Sequence, residues 1–431
     1  MAYRLEPLEI NRLGQCLEGC PMGKVYGLGI IGTGVIFDSH ANGLEPLKSR
    51  VRLIAAADLD PKRLKRASDR YFVPHTYTDH RALLGRDDID IVTIATPPST
   101  HEVLVLEALQ AGKYVICEKP LAHTLESADR IIAEMANYPG KVAVGFQQRF
   151  MPSVQKAVWL RDHGFLGDWQ YGLFRRLSHF SGSSASGTGW WGKWDVSGGG
   201  VVMTQFIHEL DLMIHLFGPV VEVMAMADTL HQDIESEDTF GATIRFANGA
   251  IATCCSTINA PSSLVMYEAV GAQASVHMPT WGLRCADGHR LREMNAALAD
   301  AFPESGTPKA SSGAVGRFKA KVLWKLQGAG AAKKVMRKAV GLVGIRPAPP
   351  EPSNHTRFFQ AILDAIDSGE PLPVSPQSAR PAMELCTAIY ASALSGQPVL
   401  FPLDSSNACY KGVTTDGYRQ RHSYAGQSNL V

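Results

Sequence analysis

An excess of charge of one sign is missing from this chain: 42 Lys and Arg stand against 41 Asp and Glu, for a net charge of +1. A chain whose main task is gripping nucleic acid carries a marked basic excess, so that class is disfavoured. Long apolar runs are also missing, and none approaches the ~20 residues that span a bilayer. Paired cysteines are missing too. Cys16, Cys20, Cys117, Cys254, Cys255, Cys285, Cys386 and Cys409 are scattered, with no Cys-x-x-Cys. Cys16 and Cys20 lack a second ligand pair, so they read as reduced thiols, as in a cytoplasmic protein. The opening Met1-Ala2-Tyr3-Arg4-Leu5-Glu6-Pro7 has neither a basic region leading into an apolar stretch nor a twin-arginine pair, so no export signal is expected. No internal repeat is present. What remains is a globular mix, 45% hydrophobic and 19% charged over 431 residues, enough for two or more domains.

Strand and helix alternate in the first half. Lys24 to Ile31 is a strand that ends at Gly32-Thr33-Gly34, and Val35 to Leu47 opens a helix. Arg52 to Ala57 is a second strand, closed by Asp58, before a helix from Pro61 to Tyr71 with Asp60 at its start. Ile89 to Ala95 is a third, ended by Thr96-Pro97-Pro98, with a helix capped by Ser99 or Thr100 and stopped by Gly112. Tyr114 to Cys117 is a fourth, followed by Glu118-Lys119-Pro120; helix Leu125 to Met135 and strand Lys141 to Gly145 complete the set. This rhythm predicts an α/β Rossmann domain, a parallel doubly wound sheet, over 24–147. After Phe150 the strands lengthen: Tyr171 to His179, Glu222 to Ala227, Thr239 to Phe246, Ile251 to Ile258, Leu264 to Val270 and Ala274 to Met278. Asn248-Gly249 marks a hairpin. An α+β domain on a large, mostly antiparallel open sheet is therefore expected over 148–403. Residues 1–23 read as an N-terminal extension and 404–431 as a tail.

Gly32-x-Gly34 between a strand and a helix suits a pyrophosphate, because glycines admit close backbone approach and the helix N-terminus presents N–H groups. Val35 and Ile36 continue that turn. The third glycine of the usual fingerprint is replaced by Phe37, so a tight turn with no ligand is an equal reading of the motif alone. Asp58 changes this. It lies about 20 residues on, where an acid accepts the ribose hydroxyls of NAD and repels the extra phosphate of NADP. Arg63, further along the next helix, offsets part of that repulsion; a helix-capping role is the less favoured reading of Asp58.

Thr96-Pro97-Pro98-Ser99-Thr100-His101 followed, after the next strand, by Glu118-Lys119-Pro120 resembles the Gfo/Idh/MocA oxidoreductase family, which includes glucose-fructose oxidoreductase and inositol dehydrogenase. The likeness extends through Asp90, Gly112-Lys113, Gln148-Arg149-Phe150, Gly198-Gly199-Gly200, His208 and Asp211, and on to Ser375-Pro376. It covers about residues 24–285 and 353–403. The resemblance implies NAD as cofactor. It places Thr96, Pro97, Pro98, His101, Glu118, Lys119, Gln148 and Arg149 around that cofactor. It also implies a carbohydrate or cyclitol substrate, and a homodimer or homotetramer formed through the C-terminal sheet. In the family the Lys of Glu-Lys-Pro touches both nicotinamide ribose and substrate hydroxyl; here it is Lys119. A family Asp and His four residues apart complete the site. His208 matches the His, but Thr204 stands where the Asp is expected.

Oxidising a secondary alcohol requires loss of the hydroxyl proton and of a hydride. His208 suits the base, with an ordinary pKa of ~6.5, and Lys119 suits stabilisation of the alkoxide. The reverse assignment, with Lys119 as base, stays open. Thr204 has a hydroxyl to offer the substrate or His208. His208, Asp211 and His215 share one helix face, an arrangement that also suits a metal. Glu209 points elsewhere and no third ligand is evident, so no metal is expected. Trp190, Trp191 and Trp194 beside Asp195 suit a sugar ring, with Trp194 and Asp195 as substrate contacts; a buried aromatic plug is the alternative. Arg175 and Arg176 are adjacent on a strand and face opposite ways.

Ser181 to Gly189, rich in Ser and Gly, reads as a mobile loop over a site or simply as a loop. From about 305 to 350 no acid occurs, while Lys309, Arg317, Lys319, Lys321, Lys325, Lys333, Lys334, Arg337, Lys338 and Arg346 do. This insertion reads either as a docking arm or as a solvated helical excursion, with Pro347 to Pro352 as a stiff linker. A dinucleotide-binding sensor without turnover, and a lyase that oxidises a sugar transiently, are the rival functions.

Overall fold

The computed structural model describes residues 24–180, 189–303 and 351–421. The N-terminal extension with Cys16 and Cys20, the Ser/Gly loop at 181–188, the insertion at about 305–350 and the last ten residues of the tail lie outside them. Residues Asp287–Pro352 make up a unit separate from the rest. Its described part is the helix Gly288–Ala301, capped by the Asp287 carboxylate, which accepts from His289 N and Arg290 N.

Within the larger unit, six parallel strands form one sheet: β1 (Tyr26–Ile31), β2 (Val51–Ala57), β3 (His75–Tyr77), β4 (Ile91–Ile94), β5 (Tyr114–Cys117) and β6 (Val142–Val144). Their order is β3-β2-β1-β4-β5-β6, the doubly wound arrangement with its switch between β1 and β4. β1, β4 and β6 are buried along their whole length, which is why they read as unbroken apolar runs. β3 was not foreseen. It is three residues long and mostly exposed, so no apolar pattern marks it. The helix Pro61–Tyr71 is capped by Asp60, whose side chain accepts from Lys62 N, and Pro61 supplies its preset φ.

The second sheet has eight strands: β7 (Trp169–His179), β8 (Val220–Asp228), β9 (Thr239–Phe246), β10 (Ile251–Thr257), β11 (Asn259–Gly271), β12 (Ser275–Met278), β13 (Gly282–Arg284) and β14 (Val399–Leu400). Their order is β13-β12-β11-β7-β10-β9-β8-β14. β7 and β10 run parallel; the other neighbours are antiparallel. Asn248-Gly249 joins β9 to β10, with Gly249 at φ 87°.

The helix Ile207–Phe217 covers the inner face. Leu210, Met213 and Phe217 are buried there, each contributing about 1.5–3 kcal/mol of hydrophobic stabilisation. Phe217 stacks on Phe246 at 5.1 Å. The chain then returns to the first sheet. The helix Asn354–Ser368 is tied to it by Arg50, which bridges Asp364 and Asp367 at 2.6 Å. The helix Pro376–Ser395 is tied by Arg380 to Asp129. Late sequence thus completes the early domain. Among the described residues no helix is long and apolar enough to cross a membrane.

Candidate active site

The glycine turn at the end of β1 is built for close approach. Gly32 has φ 98°, and a Cβ there would sit 2.4 Å from Ala95 O, so β1 and the Thr96 loop meet only through glycine. A Cβ on Gly34 would meet nothing within 4 Å, which leaves open space before the first helix (Phe37–Leu44). That helix has no side-chain cap at Ile36, so its N-terminal N–H groups have no side chain competing for them. Val35 and Leu59 flank the turn and are 86% and 89% exposed, apolar surface suited to a flat ring. These features fit a dinucleotide.

Asp58 is not the helix cap. Its Oδ2 accepts from Thr33 N at 2.7 Å and Thr33 Oγ1 at 2.9 Å, and its Oδ1 from Asp60 N at 2.9 Å. The carboxylate holds the glycine turn and keeps further acceptor capacity for a ribose hydroxyl. Arg63 leans on Asp60 at 3.6 Å. Arg66, three residues on, is the arginine that reaches the turn, donating to Thr33 O at 2.9 Å and Gly34 O at 3.1 Å. Sequence reasoning missed it, although the one-turn spacing from Arg63 was the available signal.

Two of the expected cofactor residues have structural work instead. His101 is buried with its ring nitrogens on Pro120 O and Thr96 O, both at 2.9 Å. Burial pushes its pKa down, and the ring staples the Thr96-Pro97-Pro98 loop to the Glu118-Lys119-Pro120 loop. Arg149 grips Asp211 (Nε to Oδ2, 2.8 Å) and Ser378 O at 3.0 Å, joining two helices. Asp211, pushed up by burial, is therefore occupied, and the helix trio with His208 and His215 is not a free ligand set. Thr96 and Thr100 share a hydroxyl contact of 2.7 Å. Gln148 carries a buried Oε1 with no partner, an acceptor left for a ligand. Pro97 is half-buried and Pro98 is buried.

Lys119 and His208 are brought together from residues 89 apart in sequence. Lys119 follows β5, and its Nζ donates to Thr204 O at 2.6 Å. Val202–Phe206 is one π-helical turn, which takes carbonyls out of the regular ladder. The Thr204 side chain is already committed. Its hydroxyl donates to Gly200 O at 2.6 Å and accepts from Trp191 Nε1 at 3.0 Å. Thr204 thus meets Lys119 through its backbone, not as a stand-in for the carboxylate.

Burial pushes the Lys119 pKa down, against the opposing pull of Glu118 and Glu209. Burial, then the charges of Lys119 and Arg176, hold His208 well below its ordinary 6.5. Held well below 6.5, His208 is a neutral imidazole at neutral pH. Glu118 resists ionisation by burial, yet His40 and Lys119 outweigh this and hold its carboxyl at about 2.

Glu209 lies off the face shared by His208, Asp211 and His215, and its partners are Arg176 and Tyr267. It is fully buried and takes Arg176 Nε at 2.8 Å, with Tyr267 on the same Oε1. It puts negative charge within reach of Lys119. The strand and helix that carry this pair pack face to face; their 33-residue separation hid it. The expectation for Trp194 is corrected. It is 3% exposed, wedged between Tyr390 and Tyr418 at 5.1 Å each, with Nε1 donating to Glu235 O. It has no free face for a sugar and is the plug. Asp195 is exposed beside it. Glu237, also missed, accepts from Gly200 N, Val202 N and Tyr390 OH and holds the triple glycine ahead of the π-turn. Burial lifts its pKa to about 7.

Fold and site together define a Rossmann domain suited to a dinucleotide, followed by an open-sheet domain. A family model described as "Oxidoreductase family, NAD-binding Rossmann fold" matches residues 26–146, and one described as "GFO/IDH/MocA C-terminal domain" matches 154–277. The chain belongs to the Gfo/Idh/MocA oxidoreductases, and its first domain is of the NAD-binding kind. An inositol 2-dehydrogenase of Acidothermus cellulolyticus is 33% identical over 202 residues, 46% of this chain and 56% of that protein. The uncharacterized oxidoreductase YrbE of Bacillus subtilis is 28% identical over 284 residues, 65% of this chain and 79% of that protein. The chain thus spans little more than half the length of the first of these relatives. Among solved structures, the WlbA dehydrogenase of Bordetella pertussis, complexed with NADH and UDP-GlcNAcA, superposes with a TM-score of 0.69 at 21% identity. That match covers 89% of this chain and 100% of that one. Levoglucosan dehydrogenase complexed with NADH gives 0.67 at 20% identity, over 88% and 100%. At these identities the likeness is one of fold.

Proposed function

We propose that the protein is an NAD-dependent dehydrogenase acting on a ring secondary hydroxyl of a sugar, glycoside or cyclitol. The observation that carries this is the convergence of a partly buried Lys119 ammonium and a neutral, buried His208 at the carboxyl ends of the Rossmann strands. His208 takes the hydroxyl proton. Lys119, held by Thr204 O, donates to the developing alkoxide. When bound, the nicotinamide supplies the hydride acceptor. The relatives named for inositol point to the cyclitol end of the substrate range. Asp58 favours NAD over NADP.

The reading extends to assembly and compartment. The outer face of the second sheet exposes Met224, Met226, Tyr171 and Leu264, on the side of the strands away from the helix. A second copy covers this face in our reading, and the cytoplasm is the compartment. Light scattering that returns a monomer mass would remove the first point.

The test of function is mass spectrometry on a pool of sugars, cyclitols and glycosides incubated with and without NAD. Loss of two hydrogens from one component, only with NAD, is expected. Binding of NAD with no product from any component would favour a sensing role.

A further inference from the structure

Beside the active site lies a cluster that the reaction does not use. His40 comes from the first helix, Glu118 from the end of β5, and His355 from the start of the helix Asn354–Ser368. One ligand atom from each lies within 4.8 Å of the others, the one such group of three among the described residues. His40 Nε2 stands 2.8 Å from Glu118 Oε1 and holds the carboxylate's charge, though the two are not aligned for a hydrogen bond. His40 Nδ1 and His355 Nε2 are buried and unpartnered. His40 is 0% and Glu118 5% exposed.

Leaving one buried polar atom unpaired costs about 1–3 kcal/mol, and here His40 Nδ1 and His355 Nε2 share one spot. The packing brings them there. A Cβ on Gly43 would lie 2.8 Å from His355 Cβ, so glycine alone lets the two helices close and bring His355 to His40. Their rings meet edge-on at 5.3 Å and 81°, and Phe359 closes the other side at 5.7 Å. A Cβ on Gly145 would crowd the Glu118 carboxylate at 3.1 Å.

We propose that His40, Glu118 and His355 form a structural site for one divalent transition-metal ion, with zinc the best match. Two imidazoles and one carboxylate are a borderline donor set that suits zinc. Magnesium and calcium require mostly oxygen donors and do not fit. Zinc bonds of ~2.0–2.1 Å are reached by small side-chain rotations, led by His355, the most exposed of the three. Water takes the fourth position. The ion joins the helix after the glycine turn, the Glu118-Lys119-Pro120 loop and the returning C-terminal helix. It sits one residue from Lys119 without touching the reacting hydroxyl, so it braces the site rather than acting in it. The inference does not depend on the substrate reading above.

The test uses the full chain, free of any affinity tag and stripped with chelator. Zinc chloride is added without NAD or substrate, and binding is followed by equilibrium dialysis with elemental analysis and by thermal melting. One zinc per chain and a raised Tm are expected, with magnesium chloride giving neither. His355→Leu is expected to weaken zinc binding at least tenfold and abolish the Tm rise, while circular dichroism stays native. Zinc that binds equally well to His355→Leu, or no stoichiometric zinc on the wild-type chain, would overturn the site and leave a His–Glu ion pair. If the variant does not fold, X-ray absorption at the zinc edge of the wild type decides. Two imidazoles with oxygen support the site, and sulfur ligands contradict it.

Discussion

The two ends of the active site are built in opposite ways. At the cofactor end the protein withholds side chains: Gly34 faces empty space, and Val35 and Leu59 are bare. At the reacting end almost every polar side chain is already bound to another. Thr204 is held by Gly200 and Trp191, Glu209 by Arg176 and Tyr267, and Asp211 by Arg149. A turn left bare in this way suits recognition by backbone, and a short motif suffices to build it. Chemistry at the hydroxyl needs fixed charges in a dry site, and fixing them takes partners from distant elements.

Four substitution sets probe that contrast. The largest effect is expected at the reacting end. Lys119→Ala and His208→Asn each lower kcat about 10²–10⁴-fold, while NAD affinity measured by calorimetry changes far less for His208→Asn. Equal loss of NAD binding and turnover in both variants would blur the division. Next comes Glu237, whose carboxyl is lifted from an ordinary 4.5 to about 7 by burial. The folded state holds that proton more tightly than the unfolded chain. Its contribution to stability is therefore fully present below about 4.5 and is lost as pH rises through 7. The difference between wild type and Glu237→Gln in urea unfolding is expected to change by roughly 3 kcal/mol across that window. A flat difference would contradict the burial account.

At the cofactor end the effects are smaller. Asp58→Ser is expected to shift the ratio of NAD to NADP turnover about tenfold toward NADP, near 1.4 kcal/mol. The side chain also ties down Thr33, so some loss with both cofactors accompanies the shift. The smallest expected effect separates the two arginines. Arg66→Ala weakens NAD binding a few-fold, because it removes the donor to Thr33 O and Gly34 O. Arg63→Ala, bound only to Asp60 at the surface, changes it less than about twofold. The reverse order would return the role to Arg63.

The same contrast decides what was legible in the sequence. β1, β2, β4 and β5 are apolar runs closed by Gly32, Asp58, Thr96 and Glu118, and each closing residue lies at a strand end facing the site. Run and punctuation are both local. Lys119 and His208 were singled out only by the family resemblance; that the two lie near each other from 89 residues apart is a tertiary fact with no local mark. The π-turn at Val202–Phe206 was not legible, because one extra residue in a helical turn leaves no mark in an apolar stretch. Arg176 with Glu209, Arg149 with Asp211 and His40 with His355 are side-chain meetings across elements far apart in the chain. Trp194 could be read as plug or platform, and only its two tyrosine neighbours, both late in sequence, decide for the plug.

The central claim is that a hydride leaves a ring carbon for the nicotinamide at Lys119 and His208. The most direct measurement uses a pool of sugars, cyclitols and glycosides deuterated at carbon, incubated with the protein and NAD, with the reduced cofactor then weighed by mass spectrometry. The account expects NADH carrying one deuterium from the wild-type chain and almost none from Lys119→Ala or His208→Asn. NAD that is bound but never labelled, across the whole pool, would contradict it.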